Sequence, residues 1–108
     1  ELGWQPIVAG NADQGLGFMR PDRFSLALLD QSLPGMSGLE LAGLLRRKDP
    51  GMILVLVTGW GNEDILAKAL AEGVDIVEEK PLTVGKIRAI FGKAAALKEE
   101  RRREGKNL

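Results

Sequence analysis

The run Phe24-Ser-Leu-Ala-Leu-Leu29 stops abruptly at a carboxylate, Asp30, and Gln-Ser-Leu-Pro34-Gly35-Met-Ser-Gly38 then makes a Pro/Gly turn that opens a helix. An apolar run without alternation reads as a strand covered on both faces, the habit of parallel sheets with helices either side. Met52–Val57 is a longer run of the same kind and is expected to be the central strand. Apolar residues recur at helical spacing around these runs: Leu41, Leu44 and Leu45; Ile65, Leu66, Ala69 and Leu70; and Val84, Ile87, Ile90, Phe91, Ala94 and Leu97. Strands alternating with helices through short connections give an α/β, doubly wound parallel sheet. In such sheets the working residues gather where strands end at their carboxyl edge, so Asp30 is placed to do chemistry.

Local signals fill in the rest. Pro6–Ala9 is a short strand candidate, and Asn11 can cap the next helix with Gln14 at the N3 position. That helix has a weak apolar stripe of Ala12, Leu16 and Met19, and Gly15 and Gly17 each cost it up to ~1 kcal/mol relative to Ala. It should be the least stable helix. Arg46, Arg47 and Lys48 fall in a last helical turn, where the dipole favours cations. Asn62 caps the helix that Gly73 ends, with Ile65/Leu66 and Ala69/Leu70 facing inward. Asp75–Glu79 is a less apolar, edge-type strand, and Thr83 caps the last helix. Residues 1–97 form one domain. Residues 98–108 lose apolar periodicity and read as a charged helix end that frays, or as a linker helix towards a neighbour. Glu99, Glu100 and Glu104 offset the arginines there, which argues against a nucleic-acid arm.

Composition removes several classes of function. Fifteen basic residues balance fifteen acidic ones, so no global field points to nucleic acid or an anionic membrane. Without Cys or His there are no disulfides, thiolate nucleophiles or imidazole bases. Any metal must be a hard ion held by oxygen. No apolar run approaches the ~20 residues that cross a bilayer, and no signal-peptide pattern opens the chain, so a cytoplasmic location is expected.

Leu28-Leu-Asp30, then Leu33-Pro34-Gly35-Met36 with Gly38, then Val57-Thr58-Gly59, then Lys80-Pro81 are the residues by which the chain, from about Trp4 to Leu97, resembles a response-regulator receiver domain. That is the phosphoacceptor module of bacterial two-component signalling. The resemblance implies a flavodoxin-like receiver fold, here N-terminally truncated, with about four strands and four helices. Asp30 would be the phosphoacceptor, Thr58 and Lys80 would meet the phosphoryl oxygens, and Lys80–Pro81 would be a cis bond. Mg²⁺ would be held by Asp30 and the Ser32 backbone carbonyl. The implied partners are a histidine kinase or phosphotransfer domain, and an output protein at the face built by Asn62–Glu79. No nucleic acid or membrane contact is implied. Trp60, just past Thr58, either shields the acyl phosphate from water or is simply a partly buried loop aromatic.

Two departures from the family pattern stand out. The acidic pair that holds Mg²⁺ at the end of the family's first strand has no counterpart here, since Asp13 and Asp22 lie in and after the first helix. Mg²⁺ binding is therefore expected to be weakened or lost. The sheet would need a piece of a longer protein to complete it, or a strand borrowed from a second copy in a homodimer, or direct pairing of the flanking strands; a fragment is the favoured reading. The second departure is Val77, which stands where the family usually has an aromatic switch. Both raise a competing reading, a pseudo-receiver that docks partners without phosphorylation. An Asp-nucleophile phosphatase of the haloacid dehalogenase type fits less well, because it needs a second Asp where Ser32 stands.

Overall fold

A computed structural model describes residues 11–20, 24–32 and 35–106. The Pro6–Ala9 strand candidate and the Leu33-Pro34 part of the turn lie outside the described residues. Within them the order is α1 (Ala12–Phe18), β1 (Leu26–Asp30), α2 (Gly38–Lys48), β2 (Ile53–Thr58), α3 (Glu63–Ala71), β3 (Ile76–Glu79) and α4 (Val84–Lys106). The three strands are parallel in the order β1-β2-β3, so β2 is central. Every residue of β2 is buried, as its unbroken apolar run demands.

Alternation along β2 divides the core into two layers. Leu54 and Leu56 face a cluster with Ala12 of α1, Leu29 of β1, Leu41, Ala42 and Leu45 of α2, and Ala69 of α3. Ile53, Val55 and Val57 face the other way, onto Ile76 of β3 and Ile90 and Ala94 of α4. Helices thus cover both faces, which is the α/β arrangement that the strand composition requires.

Capping follows the sequence at the expected places. The Asn11, Asn62 and Thr83 side chains accept from the Gln14, Ile65 and Lys86 amides at 2.9, 2.9 and 3.1 Å. Gly73 ends α3 in the left-handed region (φ 87°), and the Val74 amide reaches back to the Ala69 carbonyl. One cap went unread in the sequence: Ser37 Oγ accepts from the Glu40 amide at 3.1 Å, and Ser37-x-x-Glu40 is a capping-box spacing.

One expectation is corrected. Leu66 and Leu70 do not face inward; α3 turns only Ala69 fully into the core, and Leu70 is 74% exposed. Val84, the first residue of α4, is also exposed. A nine-residue helix presents one narrow stripe to the sheet it packs on, and residues one position off that stripe fall outside. The charged run after Leu97 continues the last helix. It stays helical to Lys106, because Lys98 donates to the Gly51 carbonyl at 2.7 Å and Arg101 pairs with Asp75.

Candidate functional site

Register brings the three strand ends to one edge. Asp30 closes β1 opposite Val57, Thr58 follows Val57 and lies opposite Glu79, and Lys80 follows Glu79. Backbone bonds carry the ladder one step further, from the Gln31 amide to the Val57 carbonyl (2.9 Å) and from the Lys80 amide to the Thr58 carbonyl (2.8 Å). The Lys80–Pro81 peptide is cis.

The Lys80 side chain crosses to Asp30, and Nζ lies 3.0 Å from both carboxylate oxygens. The Ser32 amide also donates to Asp30 Oδ1 at 2.8 Å. The Ser32 bond first, and the Lys80 ammonium second, hold the Asp30 carboxyl below the usual carboxylate range. Asp30 and Lys80 are each a little over 40% exposed, so water and a docking partner can reach them.

Gln31 anchors the loop behind the acid, a role the sequence did not disclose. Its side-chain oxygen accepts from the Leu39 amide at 3.0 Å, and its carbonyl accepts from the Gly38 amide at 3.3 Å. Gly38 is required where α2 begins. A Cβ there would lie 2.6 Å from the Asp30 carbonyl oxygen and 2.8 Å from Leu56 Cδ1. The start of α2 is thereby pressed against the end of β1.

Thr58 is buried, and its hydroxyl does not bond to Asp30. It accepts from the Trp60 amide at 3.1 Å and donates to the Trp60 carbonyl at 3.3 Å. Trp60 is 77% exposed, so of its two readings the partly buried loop aromatic does not hold. Val77 is partly buried and packs against the Leu54/Leu56 core layer.

The residues described fit a Mg²⁺ ion poorly. Among them no group of three or more His, Cys, Asp or Glu side chains could hold a metal. Asp30 is the one carboxylate named for the ion, and both its oxygens accept from Lys80. Mg²⁺ demands near-octahedral oxygen coordination, of which Asp30 and the Ser32 carbonyl would supply a small part. Among the described residues no helix is long and apolar enough to cross a membrane.

At the opposite edge of the sheet, a second cluster ties three elements together. Asp75 accepts from the Leu54 amide and from Arg46, both at 2.9 Å, and from Arg101. Arg46 also donates to the Pro50, Met52 and Gly73 carbonyls. The dipole explanation for Arg46 missed this, and Asp75, read as the first residue of the edge strand, lies just ahead of β3.

Residues 4–91 match the family described as the response regulator receiver domain. A response regulator receiver protein of Anaeromyxobacter sp. (strain Fw109-5) is 36% identical over 85 residues, 79% of this chain. The chain spans only 36% of that relative's length. Among solved structures, a CheY-like receiver domain protein from Methanospirillum hungatei JF-1 superposes with a TM-score of 0.81 at 30% identity, covering 91% of this chain and 79% of that one. A response regulator protein from Burkholderia pseudomallei, whose crystal structure carries a phosphorylated aspartic acid, a calcium ion and citrate, superposes with a TM-score of 0.75 at 26% identity. That match covers 94% of this chain and 61% of the other.

Proposed function

We propose, from the premise that this chain belongs to the response regulator receiver domain family, that Asp30 accepts a phosphoryl group from a phosphohistidine on a partner kinase or phosphotransfer domain. One observation carries the reading: Lys80 Nζ sits 3.0 Å from both oxygens of Asp30, at the carboxyl edge of a parallel sheet. An ionised carboxylate is the attacking form, and the Ser32 amide and Lys80 keep Asp30 ionised. As the Oδ–P bond forms, the donor's P–N bond breaks and the imidazole keeps the electron pair. Phosphoryl transfer asks the protein for positioning and charge neutralisation, not covalent help. Lys80 then moves from the carboxylate to a phosphoryl oxygen, and Thr58 offers its hydroxyl to another.

Receiver domains generally bind Mg²⁺ at the phosphorylation site. Here Asp30 and the Ser32 carbonyl would be its ligands, and binding would be weak for want of further carboxylates. The domain would work in the cytoplasm, as a stand-alone regulator or within a hybrid sensor histidine kinase. Its output would be protein contact at the Asn62–Glu79 face, where Leu66 and Leu70 stand exposed. A homodimer through that face or a borrowed strand would fit the same reading.

The core-packed Val77 and the single carboxylate favour one second reading, a pseudo-receiver docking partners without phosphorylation. Weighing the intact protein after treatment with a small phosphodonor separates the two. A receiver gains one phosphoryl group that Asp30→Asn loses, and a pseudo-receiver gains none.

A further inference from the structure

Lys80 reaches Asp30 through a long, flexible stem that is 42% exposed, and such a stem finds its partner only as well as its backbone is placed. The peptide that places it joins Glu79 to Lys80. A trans peptide is planar, with its C=O and N–H pointing opposite ways, so bonds at both ends fix the whole group and the Cα atom it carries. Both ends are held here. The Lys80 amide donates to the Thr58 carbonyl of β2 at 2.8 Å. The Glu79 carbonyl accepts from Lys86 Nζ at 2.9 Å.

Lys86 is itself well anchored for that grip. It lies in the first turn of α4, where its own amide donates to the Thr83 cap at 3.1 Å. Its ammonium stands 3.6 Å from the Glu78 carboxylate, and the two side chains are only 35% and 24% exposed, so water screens the pair in part. Hydrogen bonds with a charged partner are the stronger ones. Among the described residues β3 has β2 as its one neighbouring strand, so the end of β3 is steadied from one side unless a helix contributes. Lys86 is that contribution.

We infer that Lys86 is a positioning residue for Lys80: by gripping the Glu79 carbonyl from α4, it aims the Lys80 stem at Asp30 and at a phosphoryl group carried there. The inference rests on the phosphoacceptor reading of Asp30, and adds to it a residue that acts through Lys80.

Two measurements on the 108-residue protein test this, with Lys86→Met to remove the donor and keep the stem, and Lys86→Arg to keep a charged donor. The first is backbone amide exchange by NMR. Lys86→Met should speed exchange of the Lys80 amide by roughly fivefold, the factor one hydrogen bond supports, and leave the Leu29 amide of β1 as in wild type. An unchanged Lys80 amide, or an equal rise at both amides, would overturn the positioning role. The second is the rate of phosphoryl gain, by intact mass, over a range of acetyl phosphate concentrations with Mg²⁺. Lys86→Met should lower the maximal rate by a similar, roughly fivefold factor without moving the half-saturating concentration, and Lys86→Arg should restore both readouts. Equal rates in wild type and Lys86→Met, or a change confined to the half-saturating concentration, would overturn the positioning role and leave Asp30 as phosphoacceptor. No mass gain in wild type would overturn the phosphoacceptor reading, and the role of Lys86 falls with it.

Discussion

Lys80 Nζ lies 3.0 Å from each carboxylate oxygen of Asp30, though the two residues are 50 positions apart in the chain. Asp30 ends β1 and Lys80 follows β3, and β2 stands between those strands. The pair therefore spans the described sheet at its carboxyl edge and marks where an anion held by Asp30 would be neutralised.

The first prediction concerns acid. The Ser32 amide, and after it Lys80, depress the Asp30 carboxyl, so its folded value lies below the unfolded value of about 3.9. A depressed carboxyl contributes stability that is fully present above the unfolded value and lost as pH falls through the folded one. The ion pair should therefore be intact at neutral pH and break only in acid below the ordinary carboxylate range. A side-chain carboxyl ¹³C titration checks this. Lys80→Ala should raise the Asp30 value only part of the way back, because the Ser32 bond remains.

Two glycines should respond to alanine with opposite signs. At Gly38 the new methyl would collide with the Asp30 carbonyl, which is backbone and cannot swing aside. Gly38→Ala should destabilise the fold by about 1–3 kcal/mol. Gly17, exposed on α1 with nothing within 4 Å of a Cβ, should gain about 0.5–1 kcal/mol as Ala. Urea denaturation of the two variants beside wild type measures both.

The Asp75 cluster yields a third expectation. Asp75→Ala leaves Arg46 and the Leu54 amide without the acceptor they share, and should cost roughly 3 kcal/mol. Arg101→Ala removes a third-exposed partner and leaves Asp75 its bonds to Arg46 and Leu54, so it should cost only about 1 kcal/mol. Chemical denaturation of both variants, with equal m-values, would give the difference directly.

Much of this is legible in the sequence alone. The unbroken apolar runs located β1 and β2, because a strand buried on both faces leaves no polar alternation. Asn11, Asn62, Thr83 and Gly73 marked helix ends, since capping depends on local chemistry alone. Asp30, Thr58 and Lys80 were visible as strand ends. Their relative placement was not, because it depends on register. That Thr58 would bond to Trp60 and not to Asp30 turns on one side-chain rotamer, which no periodicity records. Leu66 and Leu70 misled because apolar spacing fixes which residues share a helix face, but not how much of that face the sheet covers. Arg46, Asp75 and Arg101 were hidden for a related reason. Their partners are one another and backbone carbonyls and amides, most of them distant in sequence, which side-chain pattern does not reveal.

Intact mass after incubation with acetyl phosphate and Mg²⁺ tests the central claim most directly. The account predicts that the wild-type chain gains a single phosphoryl group, slowly for want of further metal carboxylates, and that Asp30→Asn gains none. No gain in wild type, or an equal gain in Asp30→Asn, would contradict it.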